Sequence, residues 1–592
     1  MQMEENGIKK EEDKERFAEV SLNFKKICKE KKKIIWLFLI MLMMYGFYLR
    51  SYHMDFPAIG YHNMKENQYI PYTEFMYNAE EWKDYFRTET YWIGNQLHGY
   101  FTQYEFPLIP WIILPLWWIF GVKLWVARLV VILFTIACIP LLYTVSKKLT
   151  EDDFIGIGAA TLFTIMPISI FFGRNVQPEG PGLLFILLGT YYFLCWKNEI
   201  KEGVWQWKYF LLFTSFMLLT ILLKVPNAIG LIPLFFITPW KPLWQEKKKT
   251  AKYTLVFVCI MLFFPIWVKF SQWTMPGAAT VGTGNFSESF MEVKYNLIRT
   301  LTADYWAQAY PAIRAFVKDN FTFWFFWLTI AGIGCAALKY KTTLGRFILG
   351  SATAVILYVF IFADKVRGHA YYQFVFLPIV CIASVYVIYT IAAMFEQNIQ
   401  KIIKKKTMRF EKFLESIPYA LLLIVVVLNY TVMVAATDRA FNVIYYGEDL
   451  AGKFINENSN TTDRVFIEGV SSQSVGILWH AHRYGVEEIP NNITYFKELE
   501  DTLNFKWVVF YGPGMTTIQK KTEVYTYIQE NYKIRQVGFI PQDGQLTPYY
   551  FVLEKAGTFD PEAFGQNKTA HLAETYTNTY GEVEMYTMDD TE

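Results

Sequence analysis

Eleven apolar runs separated by loops of alternating charge constrain this chain more than any other feature. The runs cover residues 34–48, 125–146, 154–172, 181–196, 209–224, 226–239, 253–270, 321–338, 347–363, 371–395 and 417–436. A bilayer hydrocarbon core about 30 Å thick takes about 20 helical residues to cross. Backbone groups in lipid must be satisfied within the segment, so such runs read as helices. Every second connection is basic: Lys147-Lys148; Lys197, Lys201 and Lys208; Lys241 and Lys247-Lys248-Lys249; Lys339, Lys341 and Arg346; and Lys401 to Lys412. Basic loops stay in the cytoplasm. The N-terminus is therefore expected inside, with 51–124, 173–180, 271–320, 364–370 and everything after 437 outside.

Residues 1–33 form a basic cytoplasmic segment in this reading. No small-x-small cleavage site follows the first run, so it reads as an uncleaved helix and not a signal peptide. The stretch 107–121 does not fit as a span: it holds three prolines in fifteen residues, and counting it would invert every later loop. We expect a helix at the membrane interface, where Trp111, Trp117 and Trp118 suit the headgroup level. Residues 437–555 alternate β-like runs (464–470, 506–512, 532–540, 549–555) with helical patterns near 447–458, 472–484 and 516–531, which predicts an extracytoplasmic α/β domain. The acidic, Thr/Tyr-rich segment 556–592 is expected to be disordered. The fold class is thus a polytopic α-helical membrane protein of about eleven transmembrane helices with a C-terminal α/β domain. A net charge of +2 argues against a nucleic-acid partner. Five of six cysteines lie in apolar runs, and no spacing suggests zinc.

Ionisable residues at membrane depth are functional candidates, and five places stand out at outward ends of spans. Glu66, beside Lys65 and His62, could act as a general base or be a solvated loop residue. Arg174 and Glu179 sit in a tight Pro/Gly turn, where a hairpin also needs polar groups. Lys224 turns the chain in an apolar stretch and could bind an anion or snorkel. Arg367 and His369 lead into Tyr371 and Tyr372; the Arg fork suits phosphate, whereas the tyrosines fit an aromatic belt. Arg128, near the start of a span, reads as buried with one carboxylate partner. Carboxylates and cations on one face suit a lipid phosphate whose tail stays in the bilayer.

In this order the motifs resemble those of the C-superfamily membrane glycosyltransferases, in particular the family-39, protein-mannosyltransferase-like group that uses polyprenyl-phosphate sugars. The family's Asp-Glu-x-x-Tyr has Glu66-Asn67-Gln68-Tyr69 in its place. The Pro-Pro-Leu motif, interfacial helix and Arg-Leu read as Glu105-Phe106-Pro107-Leu108-Ile109-Pro110-Trp111 and Arg128-Leu129. Arg-x-x-x-Pro-Asp reads Arg174 to Glu179, Thr-Lys-Gly-Pro reads Leu223-Lys224-Val225-Pro226, and His-x-Tyr-Tyr reads His369-Ala370-Tyr371-Tyr372. Glu stands where Asp is usual at 66 and 179, and some relatives carry a basic residue where Glu105 stands.

The resemblance implies a glycosyltransferase-C fold and an inverting transfer from a polyprenyl-phosphate-linked sugar, undecaprenyl-like if the source is bacterial. Glu66 would take the acceptor proton or orient the hydroxyl, Glu179 would orient a cation or the acceptor, and Arg174, Lys224, Arg367 and His369 would stabilise the departing phosphate. His62, Lys65, Arg128, Tyr371 and Tyr372 complete the expected site. The acceptor could be protein, lipid or cell-envelope glycan. Some oligosaccharide-transferring relatives use a divalent metal, but no ligand cluster is visible here, so no cofactor is expected. A transporter or flippase of lipid-linked glycans, or a polysaccharide polymerase or ligase, would share the spans and charges.

Overall fold

The computed structural model describes residues 30–93, 99, 105–276, 286–402, 408–468, 473–488, 490, 492–512, 522–566 and 568–590. The basic segment before Glu30, Cys28 and the centre of the Lys401–Lys412 loop lie outside the described residues.

All eleven apolar runs fall on helix. Among the described residues seven helices are long and apolar enough to cross a membrane: Glu30–Arg50, Leu124–Thr150, Lys247–Thr274, Ala303–Leu338, Thr343–Ile361, Ala370–Ile399 and Leu414–Phe441. The Glu179–Lys201 helix and the shorter Asp153–Ile165, Trp207–Leu223 and Val225–Ile237 segments pack among them. The chain is thus a multi-pass membrane protein. Proline sets several breaks. Met166, before Pro167, is extended at φ −66°, ψ 130° and splits the third run, because a residue before proline avoids the α region. Gly180 lets the Glu179 helix close on its neighbour, since a Cβ there would stand 2.5 Å from the Thr135 hydroxyl.

The Leu108–Phe120 helix has 13 residues, about 20 Å at 1.5 Å per residue. It buries Ile109, Ile113, Leu114 and Trp117 and exposes Trp118, Ile119 and Phe120, the two-faced pattern of a helix lying along a bundle. Part of the expected 271–320 loop is helical, as Phe286–Arg299 and the first turns of Ala303–Leu338. That last helix kinks at Thr322, whose φ is +58°. Just before the kink, Asn320 Nδ2 donates to the Ala370 carbonyl and to Gln373 Oε1, both at 3.0 Å.

The C-terminal domain is a seven-stranded mixed sheet of β1 Arg464–Glu468, β2 Gly485–Glu487, β3 Phe505–Tyr511, β4 Tyr532–Gln542, β5 Gln545–Lys555, β6 His571–Asn578 and β7 Gly581–Asp589. The order is β2-β1-β3-β5-β4-β7-β6, with β1 parallel to β2 and β3 and the other pairs antiparallel. The expectation of disorder across 556–592 is corrected: β6 and β7 form a hairpin that pairs through β7 with β4. Acidic residues mask a period of two there. Tyr576 and Met585 point into the core, and the Tyr576 hydroxyl donates to Asp449 Oδ1 at 2.5 Å. Sheet and bundle meet directly. The Ile93 amide donates to the Gly485 carbonyl and the Gly485 amide to the Tyr91 carbonyl, both at 2.9 Å. Asn63 Nδ2 donates to Glu448 Oε2 at 2.9 Å.

Candidate active site

The charged residues of the bundle's sheet-facing end separate into two clusters with different chemistry. The first is sealed. Both oxygens of Glu66 accept from Arg128, Oε1 from Nε at 2.9 Å and Oε2 from Nη2 at 2.8 Å. The Val176 amide donates to Glu66 Oε1 at 3.1 Å. Arg128 Nη1 donates to the carbonyls of His53, Met54 and Phe56 at 2.9, 3.1 and 2.6 Å. Both side chains are almost wholly buried, at 5% and 1% exposure. Burial alone would raise the Glu66 pKa, but Arg128, Arg174 and the Val176 amide outweigh it and hold the carboxyl below its ordinary range. Such a carboxylate is a poor proton acceptor. Glu66 and Arg128 tie the end of the first helix, the Glu66–Tyr77 helix and the 174–178 turn into one frame. Arg174 joins this cluster: its guanidinium donates to the Tyr52 carbonyl and lies over the Phe441 ring.

The second cluster lines a cavity. Lys224 pairs with Glu179 and lies 3.8 Å from the Tyr372 ring centroid and 5.0 Å from that of Tyr371. Glu179 Oε2 is buried with no partner, so the ion pair leaves one acceptor open. Asn227, Tyr358 and Phe374 complete the wall. Ile186 and Val375 belong both to this cavity and to an apolar groove that continues past Leu187, Ile229, Phe347 and Val355. Facing it is Glu105, whose Oε2 accepts from the Tyr69 hydroxyl at 2.6 Å and whose Oε1 lies 3.9 Å from Lys65 Nζ. The Phe106 amide donates to the Leu222 carbonyl at 2.9 Å. That bond pins Glu105 beside the end of the helix that presents Lys224. Glu105 is 19% exposed and Lys65 12%, so this pair remains within reach of a ligand.

His62 and His369 sit at the rim with ring centroids 5.6 Å apart. His62 Nε2 accepts from the Ala370 amide at 3.3 Å. Burial pushes His62 down to about 4. Burial, His62, Lys65, Lys224 and Lys365 push His369 down to about 3. The imidazole is therefore held neutral near pH 7, and its Nδ1 is buried without a partner among the described residues. Arg367 lies 3.9 Å from Asp364, which Arg299 also holds, and does not line the Lys224 cavity. Glu105 and Lys365, which the sequence reading did not place in the site, act electrostatically on Tyr372 beside the cavity. The acidic residue at 105, where some relatives carry a basic one, was the available signal for Glu105; nothing local marks Lys365. Among the described residues no cluster of three His, Cys, Asp or Glu side chains is placed to hold a metal ion.

Residues 105–268 match the family described as dolichyl-phosphate-mannose-protein mannosyltransferase. No curated protein matches the chain in sequence. Among solved structures the chain is similar to the archaeal oligosaccharyltransferase AglB from Archaeoglobus fulgidus, in complex with an inhibitory peptide and a dolichol-phosphate. That likeness has a TM-score of 0.59 at 14% identity, over 88% of this chain and 74% of that one. The apo form of the Archaeoglobus enzyme aligns at a TM-score of 0.55 and 14% identity, over 87% and 74%. ArnT from Cupriavidus metallidurans in the apo state gives 0.47 at 12% identity, over 88% and 98%. The AglB likeness shows a shared fold.

Proposed function

We propose that this chain is an inverting glycosyltransferase that moves a sugar from a polyprenyl-phosphate donor to an acceptor hydroxyl, with the Lys224 cavity on the extracytoplasmic side. The observation that carries the reading is a Lys224-lined cavity that shares Ile186 and Val375 with a neighbouring apolar groove. A phosphate beside Lys224 would leave its isoprenoid tail in that groove. The match of residues 105–268 to a dolichyl-phosphate-mannose-dependent family supports the same donor chemistry.

Lys224, Lys65 and Lys365 are the cations disposed around the rim, where fixed positive charge lowers the barrier most as the phosphate departs. Glu179 positions Lys224. Tyr371 and Tyr372 hold the ammonium by its π contacts, and neutral His369 offers a hydrogen bond instead of a charge. In the transfer, the acceptor oxygen bonds to the anomeric carbon while the bond from that carbon to the phosphate oxygen breaks. The lipid phosphate leaves with the bonding pair. The acceptor proton goes to a carboxylate, and Glu105 suits this better than Glu66, because Glu66 has both oxygens committed to Arg128. Glu66, Arg128 and Arg174 are positioning residues. The test is transfer from labelled polyprenyl-phosphate sugars by the detergent-solubilised protein. Transfer by wild type, lost in Glu105→Gln, supports the reading. Absence of transfer from every such donor, with lipid-linked glycan movement in liposomes, overturns it.

A further inference from the structure

The opposite end of the bundle carries a second charged cavity that the transfer reaction does not use. The Leu124–Thr150 helix has 27 residues, about 40 Å from the Arg128 end to the Lys148 end. There a cavity of about 340 Å³ opens among three connections, lined by Lys148, Lys197, Lys201, Lys339 and Thr343 together with Glu151 and Asp152. Asp152 is engaged, since its side chain accepts from the Phe154 amide at 2.7 Å and caps the next helix.

Lys197 is the unusual member. A lysine that serves only to orient a loop stays in water, and one near a helix end snorkels to the surface. Lys197 does neither: it is 2% exposed. Its Nζ donates to Thr343 Oγ1 at 3.3 Å. Among the described residues no carboxylate lies within ion-pair distance, and the charges acting on it, Lys201 and Arg346, are both positive. An uncompensated buried ion costs several kcal/mol, so this arrangement calls for a counter-anion. Thr343 also opens the 19-residue Thr343–Ile361 helix, whose capped N-terminal turn lines the same space and puts its positive dipole end there.

We propose that this cavity binds a phosphate-bearing anion, with Lys197, Lys201 and Lys339 as its cationic ligands and Thr343 as a hydrogen-bond donor. A phosphate monoester or diester fits the cationic lining. Both an anionic phospholipid headgroup and a soluble phosphate ester have this chemistry, and basic recesses between membrane helices take lipid headgroups.

The test is thermal unfolding of the full-length protein in detergent, titrated with phosphatidylglycerol, phosphatidylcholine or glycerol phosphate. Wild type is expected to show saturable stabilisation by phosphatidylglycerol, by glycerol phosphate or by both, and none by phosphatidylcholine. A response to phosphatidylglycerol alone identifies the lipid as the source; a response to glycerol phosphate without added lipid identifies the soluble ester. Lys197→Met should weaken the response at least tenfold, and Lys201→Gln, at the rim, should weaken it without threatening the fold. Equal stabilisation by phosphatidylcholine, no response in wild type, or unchanged titrations in Lys201→Gln would overturn the proposal.

Discussion

Glu66→Gln is expected to unfold the site before it touches the chemistry. The substitution keeps the shape of the side chain and removes its charge. Arg128 then remains 1% exposed, with three carbonyls around it but no counter-ion. Removing one partner of a buried pair costs about 3–5 kcal/mol, which at 1.4 kcal/mol per decade is about a hundred- to several-thousand-fold in the folding equilibrium. Glu105→Gln is the contrasting case. Its amide oxygen can still accept from Tyr69, and the ion pair it loses is 3.9 Å long and partly exposed, a class worth about 0–1 kcal/mol. Thermal unfolding in detergent and transfer from a labelled donor separate the two. Glu66→Gln should melt well below wild type, and Glu66→Gln combined with Arg128→Met should recover part of the loss. Glu105→Gln should melt near wild type and lose transfer. A Glu66→Gln protein that melts at the wild-type temperature yet transfers no sugar would refute this reasoning and make Glu66 the proton acceptor. The same pair sets an acid limit. Because the fold lowers the Glu66 pKa from its ordinary 4.5, its stabilisation is complete above that value and is lost as pH falls through the lower, folded value.

Three further outcomes follow from the same geometry. Lys224→Met should raise the KM for the lipid donor more than it lowers kcat, as donor titration in micelles would show; an unchanged KM would remove Lys224 from the donor site. His62 and His369 are held neutral, at about 4 and about 3 against an ordinary 6.5, so their stabilisation is present above 6.5 and declines as pH falls toward 4. His62→Asn should flatten the melting temperature's slope over that window. In the sheet domain, burial raises Glu487 to about 8, and burial with Glu487 and Asp449 raises Glu448 well above its ordinary value. Protonated carboxyls therefore favour the docked state, whose stabilisation is lost as pH rises through about 8. Hydrogen exchange around Tyr445 and Gly485, corrected for its intrinsic pH dependence, should rise across that range, and a flat profile would contradict the assignment.

The membrane architecture was legible because bilayer burial writes itself into local composition: each apolar run became a helix, and the proline-rich 107–121 stretch became a short two-faced one. Site assignments were less legible because they depend on partners far apart in sequence. Glu66 and Arg128 are 62 residues apart and Glu66 and Val176 110, so no spacing rule shows that this carboxylate is already committed. Glu105 meets Lys65 across the first loop, and only that meeting makes it a candidate. The state of His369 is set by burial, by His62 and by Lys65, Lys224 and Lys365, which no local pattern around it reveals. The β6–β7 hairpin was hidden by threonine and glutamate on its open face, with Tyr576 and Met585 carrying the buried side.

The backbone bonds between Tyr91, Ile93 and Gly485 have a consequence for biosynthesis. They join segments almost four hundred residues apart, and the later one emerges only after every membrane helix has been made. Until then the β2 edge has no neighbour and the first loop has no strand to lean on. Docking of the Tyr91–Ile93 stretch is therefore a late event in the life of the chain, and a nascent protein truncated before Gly485 would still hold the first loop through Glu66–Arg128 and Phe106–Leu222 but lack its join to the sheet.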